Sequence, residues 1–256
     1  VTSTGTFGNH RYRIDGDEVL GVTRVLDLAL AKPALTGWAA GVTADYAIDA
    51  WDELAACAIS ERSKRLRAAH QEARSRAATR GTDVHDLATR LAVGEEITTS
   101  DETRGLIDAY LAFAAVWQPR ELLLEQPVFN RSRGYAGRLD LVAELADART
   151  WLLDFKTGVR GPFPEAALQS AAYRNAEFYL DEAGAEQPLP EVDAAGVVWL
   201  RDDATYDLIP VDASPQTFRI FLFALELARW SKSSADALAT SDAALGEALA
   251  APRVAA

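Results

Sequence analysis

The chain has 256 residues, 49% hydrophobic and 25% charged, which is the balance of a globular protein with room for one large domain or two small ones. A net charge of −12 makes a poor general surface for a polyanion, and the single cysteine, Cys57, excludes a disulfide framework or a cysteine-built metal cluster within one chain. No apolar stretch approaches the roughly 20 residues of a membrane helix, and the start VTSTGTFGNHRYRIDGDE lacks the basic end and apolar run of a signal peptide, so no membrane association and a cytoplasmic setting are expected.

His10 to Asp15 and Glu18 to Val25 read as a hairpin about Gly16-Asp17. Lys32-Pro33 marks a break. Helical spacing of Trp38, Val42, Tyr46 and Trp51 then predicts a helix from about Leu35 to Ser60. A second helix is predicted from Glu61 to Thr79. Gly81-Thr82 punctuates it, with Thr82 capping a further helix through Leu91. The run from Arg62 to Arg80 also holds Lys64, Arg65, Arg67, Arg74 and Arg76 against Glu72 alone. It reads either as a solvated helix face or as a track for phosphates.

Ser100-Asp101-Glu102 opens a predicted helix carrying Leu106, Ile107, Tyr110, Leu111, Ala114 and Trp117, which Pro119 ends. Glu121 to Asn130 is a predicted strand. Pro164 opens a helix through about Leu180. Ala194 to Arg201 and Tyr206 to Val211 read as strands about Asp202-Asp203-Ala204, and Pro215 opens a helix to about Lys232 with an alanine-rich helical tail. No internal repeat or long linker divides the chain. The expectation is one domain over 1–256: a mixed sheet with helices around it, a core at about 80–212, an N-terminal hairpin and helices over 1–80, and C-terminal helices over 213–256.

The richest stretch is GYAGRLDLVAELADARTWLLDFKTG, from Gly134 to Gly158. Two apolar runs flank the turn Ala146-Asp147-Ala148-Arg149, and each carries charge where a core strand would hold apolar residues. Strand side chains alternate faces, so Asp154 and Lys156 share one face while Leu153 and Phe155 take the other. If the runs pair as a hairpin, Asp140 lies across from Asp154. Two neighbouring carboxylates repel, and a bound cation is the common remedy. His85 stands in RGTDVHDLA near a predicted helix start, and Gln169 and Tyr173 share a helix face one turn apart. Glu125, in LLLEQPVF, could join the site from the neighbouring strand but is not counted in the set. His10 and His70 have no companion motif and read as structural or surface residues.

Phosphodiester hydrolysis needs an activated water, stabilisation of an anionic transition state, and help for the leaving oxygen. Paired carboxylates hold hard divalent ions through oxygen, those ions acidify water, and a nearby lysine offsets developing charge. GTDVHDLA, YAGRLDLV, LLDFKTG and LQSAAY, in this order and spacing, resemble the RecB-like branch of the PD-(D/E)XK nucleases, which also contains the CRISPR-associated exonucleases. HRYRIDGDEVLGVTRVLD followed by KPALTGWAA is similar to exonucleases carried by phages and prophages of actinobacteria. The motif-bearing part runs from about His85 to Tyr173.

The resemblance implies an α/β fold with a restriction-endonuclease-like core, α-β-β-β-α-β, around a central mixed sheet. It implies His85, Asp140, Asp154 and the Phe155 carbonyl as ligands of magnesium or manganese. Asp140, Asp154 and Lys156 would form the catalytic set, with Gln169 and Tyr173 as a Q-x-x-x-Y element that contacts DNA or supports the site. The activity implied is metal-dependent DNA hydrolysis by an exonuclease in phage or prophage recombination or processing, in the host cytoplasm. A recombination or single-strand-annealing protein would be a partner. There are departures: many relatives have glutamate at the place of Asp154, and the iron–sulfur cluster of some relatives needs four cysteines that this chain lacks. No G-x-x-x-x-G-K-[ST] loop is present, so unwinding would fall to a partner. Two other readings suit the same residues: a non-catalytic DNA-binding or assembly protein on this fold, and a metal-dependent hydrolase of another phosphate ester.

Overall fold

The computed structural model describes residues 4–5, 11–92, 95–157 and 161–248. His10 lies outside them, and the side chain of His85 is likewise not described. Strands β1 (Thr4–Gly5), β2 (Tyr12–Ile14) and β3 (Asp17–Gly21) lead into helices α1 (Val22–Ala29), α2 (Pro33–Asp49), α3 (Trp51–Ala56) and the long α4 (Ile59–Ala92). Then follow α5 (Asp101–Trp117), β4 (Arg120–Asn130), β5 (Tyr135–Glu144), β6 (Thr150–Lys156) and α6 (Glu165–Arg174). Short β7 (Phe178–Leu180) and β8 (Glu186–Pro188), then β9 (Ala194–Leu200), β10 (Tyr206–Pro210) and α7 (Pro215–Ala248), complete the order.

The order α5, β4, β5, β6, α6, β9 is the expected α-β-β-β-α-β core, and the sheet is mixed. β5 is antiparallel to β4 and β6, while β9 is parallel to β6, as a strand reached through the crossover helix α6 must be. Helices cover both faces. Leu152, Leu139 and Val142 pack with residues of α1, α6 and α7 on one side. Leu141, Ala143, Leu153, Phe155, Val198 and Leu200 pack with α5 residues such as Leu106, Tyr110 and Phe113 on the other. Along β6 the alternation is strict: Trp151, Leu153 and Phe155 face α5, and Leu152 faces α6 and α7. Asp154 and Lys156 therefore stand on the α6 side.

The structure departs from the sequence-based elements in four places. The hairpin turns at Asp15-Gly16, both at positive φ (54° and 95°), which is the Asp-Gly pair a two-residue turn favours. Its second strand stops at Gly21, and Val22–Ala29 is helical because Val22, Val25 and Leu26 bury one face. Helices α2 and α3 divide the predicted Leu35–Ser60 helix at Ala50, and α4 then runs unbroken through Gly81. Thr82 does not cap a new helix there, because its hydroxyl donates back to the Ala78 carbonyl at 3.1 Å. A glycine inside a helix costs only about 1 kcal/mol, which packing offsets. Finally, α6 ends at Arg174, and Phe178–Leu180 is instead a strand paired with Val128 and Phe129 of β4.

Among the described residues, no helix is long and apolar enough to cross a membrane.

Candidate active site

β5 is forked. Along one edge it pairs with β4 from Tyr135 to Glu144. Along the other, β3 takes Tyr135 and Ala136, while β6 takes Leu141 to Glu144. Between these two partners, no strand of the described residues pairs with positions 137–140 on that edge. A cavity of about 270 Å³ opens at this gap. Its walls include Gly137, Arg138 and Asp140 of β5, Asp154 and Lys156 of β6, and Gln169 and Tyr173 of α6. Ala78, Gly81, Thr82 and Asp86 of α4 edge it from one side, and Thr23 and Arg24 of α1 from another.

The gap is stabilised by side chains taking over main-chain hydrogen bonding. The β5–β6 ladder ends at Leu141 opposite Leu153. One step further, the Phe155 N–H donates to Asp140 Oδ2 at 2.8 Å. A residue's N–H and C=O leave a strand toward the same edge, so the Phe155 carbonyl is directed to the Asp140 side as well. Asp154, only 5% exposed, accepts from Gln169 Nε2 on Oδ1 at 2.8 Å, and its Oδ2 forms an ion pair with Lys156 Nζ at 2.6 Å. Burial pulls the Lys156 ammonium down, but Asp154, Asp140 and Glu165 outweigh it and raise the group above its ordinary value. The amine is thus a fixed cation at neutral pH.

Tyr173 is buried behind the carboxylates. Burial first, then the charges of Asp140 and Asp154, push its phenol well above the usual value, with a hydrogen bond to Thr23 acting weakly the other way. It stays a neutral phenol at any working pH. Its ring needs Gly137: a Cβ there would lie 2.5 Å from Tyr173 Cε1, too close for any side chain. The glycine of YAGRLDLV is therefore explained by packing of the Q-x-x-x-Y tyrosine against β5.

Of the residues singled out in the sequence, Asp140, Asp154, Phe155, Lys156, Gln169 and Tyr173 come together around this gap. His85 lies on α4 one turn beyond Gly81 and Thr82, which line the cavity, while its side chain is outside the described residues. Glu125, left out in the sequence, is at the wall. It sits in β4 between the pairs Leu124–Leu141 and Gln126–Leu139, holds φ at +47°, and meets Arg138 at 3.0 Å. A non-glycine residue in the left-handed region inside a strand is strained, and here it turns the carboxylate toward Arg138. Tyr12, Thr23 and Arg24 also reach the cavity. Nothing local in the sequence marks them, because the β3–β5 pairing that delivers them joins Leu20 to Tyr135.

The donor set suits a hard divalent cation: two carboxylates beside a main-chain carbonyl, with no sulfur. Among the described residues, no three His, Cys, Asp or Glu side chains form a metal cluster.

No family model matches the chain, and no curated protein matches it. Among solved structures, LHK-Exo in complex with dAMP aligns over 89% of this chain and 94% of its own, at 13% identity and a TM-score of 0.39.

Proposed function

We propose that the chain is a metal-dependent deoxyribonuclease whose catalytic centre is the gap between β3 and β6. The observation that carries this reading is the convergence of Asp140, Asp154 and Lys156 at one cavity, with the amine 2.6 Å from a buried carboxylate. Asp140 and Asp154, with the Phe155 carbonyl and His85, would hold magnesium or manganese. Such an ion, when bound, acidifies a water and offsets charge on the phosphate oxygens.

The chain's own residues do the rest. Gln169 fixes one oxygen of Asp154, so the carboxylate keeps a single orientation. The Phe155 N–H does the same for Asp140. Lys156, cationic and partly exposed at the cavity, supports the negative charge that builds on the phosphate as the attacking oxygen bonds to phosphorus and the ester oxygen departs. Tyr173, a neutral buried phenol, forms an uncharged wall of the cavity beside the carboxylates.

The motif resemblance favours an exonuclease of phage or prophage DNA recombination or processing, working beside a recombination or single-strand-annealing protein. A time course on end-labelled linear and closed circular DNA, with magnesium, manganese or chelator, tests this. The expected result is metal-dependent loss of linear DNA while circles survive. Equal attack on circles would make the enzyme an endonuclease, and no cleavage under either metal would refute hydrolysis.

A further inference from the structure

The basic run of α4 is not one surface. Arg62 turns back to the carbonyls of Leu54 (2.8 Å), Ala55 and Cys57 at the end of α3. Arg65 pairs with Glu61 at 3.1 Å, and Arg80 pairs with Asp202. Arg62 ties α4 to α3 and Arg80 ties it to the β9–β10 turn, while Arg65 is engaged within α4 itself. Lys64, Arg67, Arg74 and Arg76 are exposed, and none of the four has an ion pair or hydrogen bond among the described residues.

Helix geometry divides those four. At 3.6 residues per turn, Lys64, Arg67, Gln71, Arg74, Ala78, Gly81 and Thr82 fall within about 100° of the helix circumference. Arg76 points to the opposite side. The last three of the stripe, Ala78, Gly81 and Thr82, line the cavity. The stripe contains no acid, since Glu72 lies off it, and Lys64, Gln71, Arg67, Arg74 and Ala78 are all exposed. A cationic line on a chain of net charge −12 thus runs along one helix face into the candidate catalytic centre.

Resting on the nuclease reading above, we infer that Lys64, Arg67 and Arg74 form a rail for the sugar–phosphate backbone of DNA leading to the cavity. At 1.5 Å per residue, Arg74 stands about 10 Å, Arg67 about 21 Å and Lys64 about 25 Å along the helix from Gly81. A strand of duplex advances 3.4 Å per phosphate, so the rail spans about seven base pairs beyond the reacting phosphate. Contacts of this kind read charge and not sequence. They would hold the substrate at the site without base specificity.

The test is the salt dependence of binding to a 20-base-pair duplex, read by fluorescence anisotropy in chelator, so that no cleavage is needed. The combined variant Lys64→Ala, Arg67→Ala, Arg74→Ala is expected to lower the slope of log affinity against log salt by about 2.7, at about 0.9 for each lost contact. Arg76→Ala on the far side of the helix is expected to keep the wild-type slope. If the triple variant fails to fold by thermal unfolding, Arg74→Ala alone should lower the slope by about 0.9. A triple variant with the wild-type slope, or an Arg76→Ala slope as reduced as that of Arg74→Ala, overturns the rail. The two readings fail separately: a protein that binds through these residues but never cuts DNA loses the nuclease function and keeps the rail. One that cuts DNA with a slope indifferent to them loses only the rail.

Discussion

Asp140→Asn is expected to lower the single-turnover rate of DNA cleavage by about 10²–10³-fold, the scale of removing one electrostatic stabiliser from a catalytic centre, while leaving thermal stability near that of the wild type. The two effects separate because the carboxylate has two jobs. One oxygen, Oδ2, accepts the Phe155 N–H at 2.8 Å and holds the strand where the β5–β6 ladder ends. An asparagine carbonyl oxygen can still accept that bond, more weakly than the carboxylate, so the gap keeps its shape. What the amide cannot supply is charge: it is a far weaker ligand for a hard divalent ion. Asp140→Ala removes both functions. It should also cost about 1–3 kcal/mol, since a main-chain N–H beside the core loses its acceptor. Denaturant midpoints for the two variants beside their cleavage rates check this. Equal stability losses would mean that Asp140 does not hold the strand, and wild-type cleavage by Asp140→Asn would remove the residue from the centre.

Lys156→Ala is expected to reduce turnover by a similar about 10²–10³-fold, with DNA affinity in non-hydrolysing calcium nearly unchanged. Lys156 shares its strand face with Asp154, and its amine is held against the buried Asp154 Oδ2 at 2.6 Å. Its charge is aimed at the cavity, where negative charge builds only as the phosphate reacts, and such an interaction moves the rate more than the binding. Lys156→Arg keeps a cation but changes its reach and its hydrogen-bond geometry, and should recover only part of the rate. Single-turnover rates and calcium-supported binding on one labelled duplex separate the two effects. An affinity loss as large as the rate loss would make Lys156 a general phosphate contact instead.

The parts of the site that rest on local pattern were legible in the sequence. Charged residues interrupting two short apolar runs marked Asp140, Asp154 and Lys156, and a two-residue periodicity put Asp154 and Lys156 on one face, as the β6 packing shows. The helix spacing of Gln169 and Tyr173 likewise survived, although α6 is shorter than its pattern suggests. What depends on long-range pairing was not legible. The fork in β5 arises because β3, more than a hundred residues earlier, docks parallel to Tyr135 and Ala136. No local signal announces a parallel contact of that separation. Short strands such as Phe178–Leu180 are equally silent, since three apolar residues after a helix read as more helix until β4 supplies the partner. Gly81 misled for the converse reason: the residue breaks isolated helices, but α4 is held on both sides of it by packing of Ala69 and Val84.

The most direct measurement is the release of acid-soluble nucleotides from linear DNA by the wild type and by Asp154→Asn, in magnesium and in chelator. Asp154 is the most buried charge of the set and meets both Lys156 and Gln169, so its neutralisation strikes the centre itself. Nucleotide release is expected from the wild type in magnesium alone, and from neither protein in chelator. Release by Asp154→Asn at the wild-type rate, or by the wild type in chelator, would contradict a metal-dependent centre built on this carboxylate.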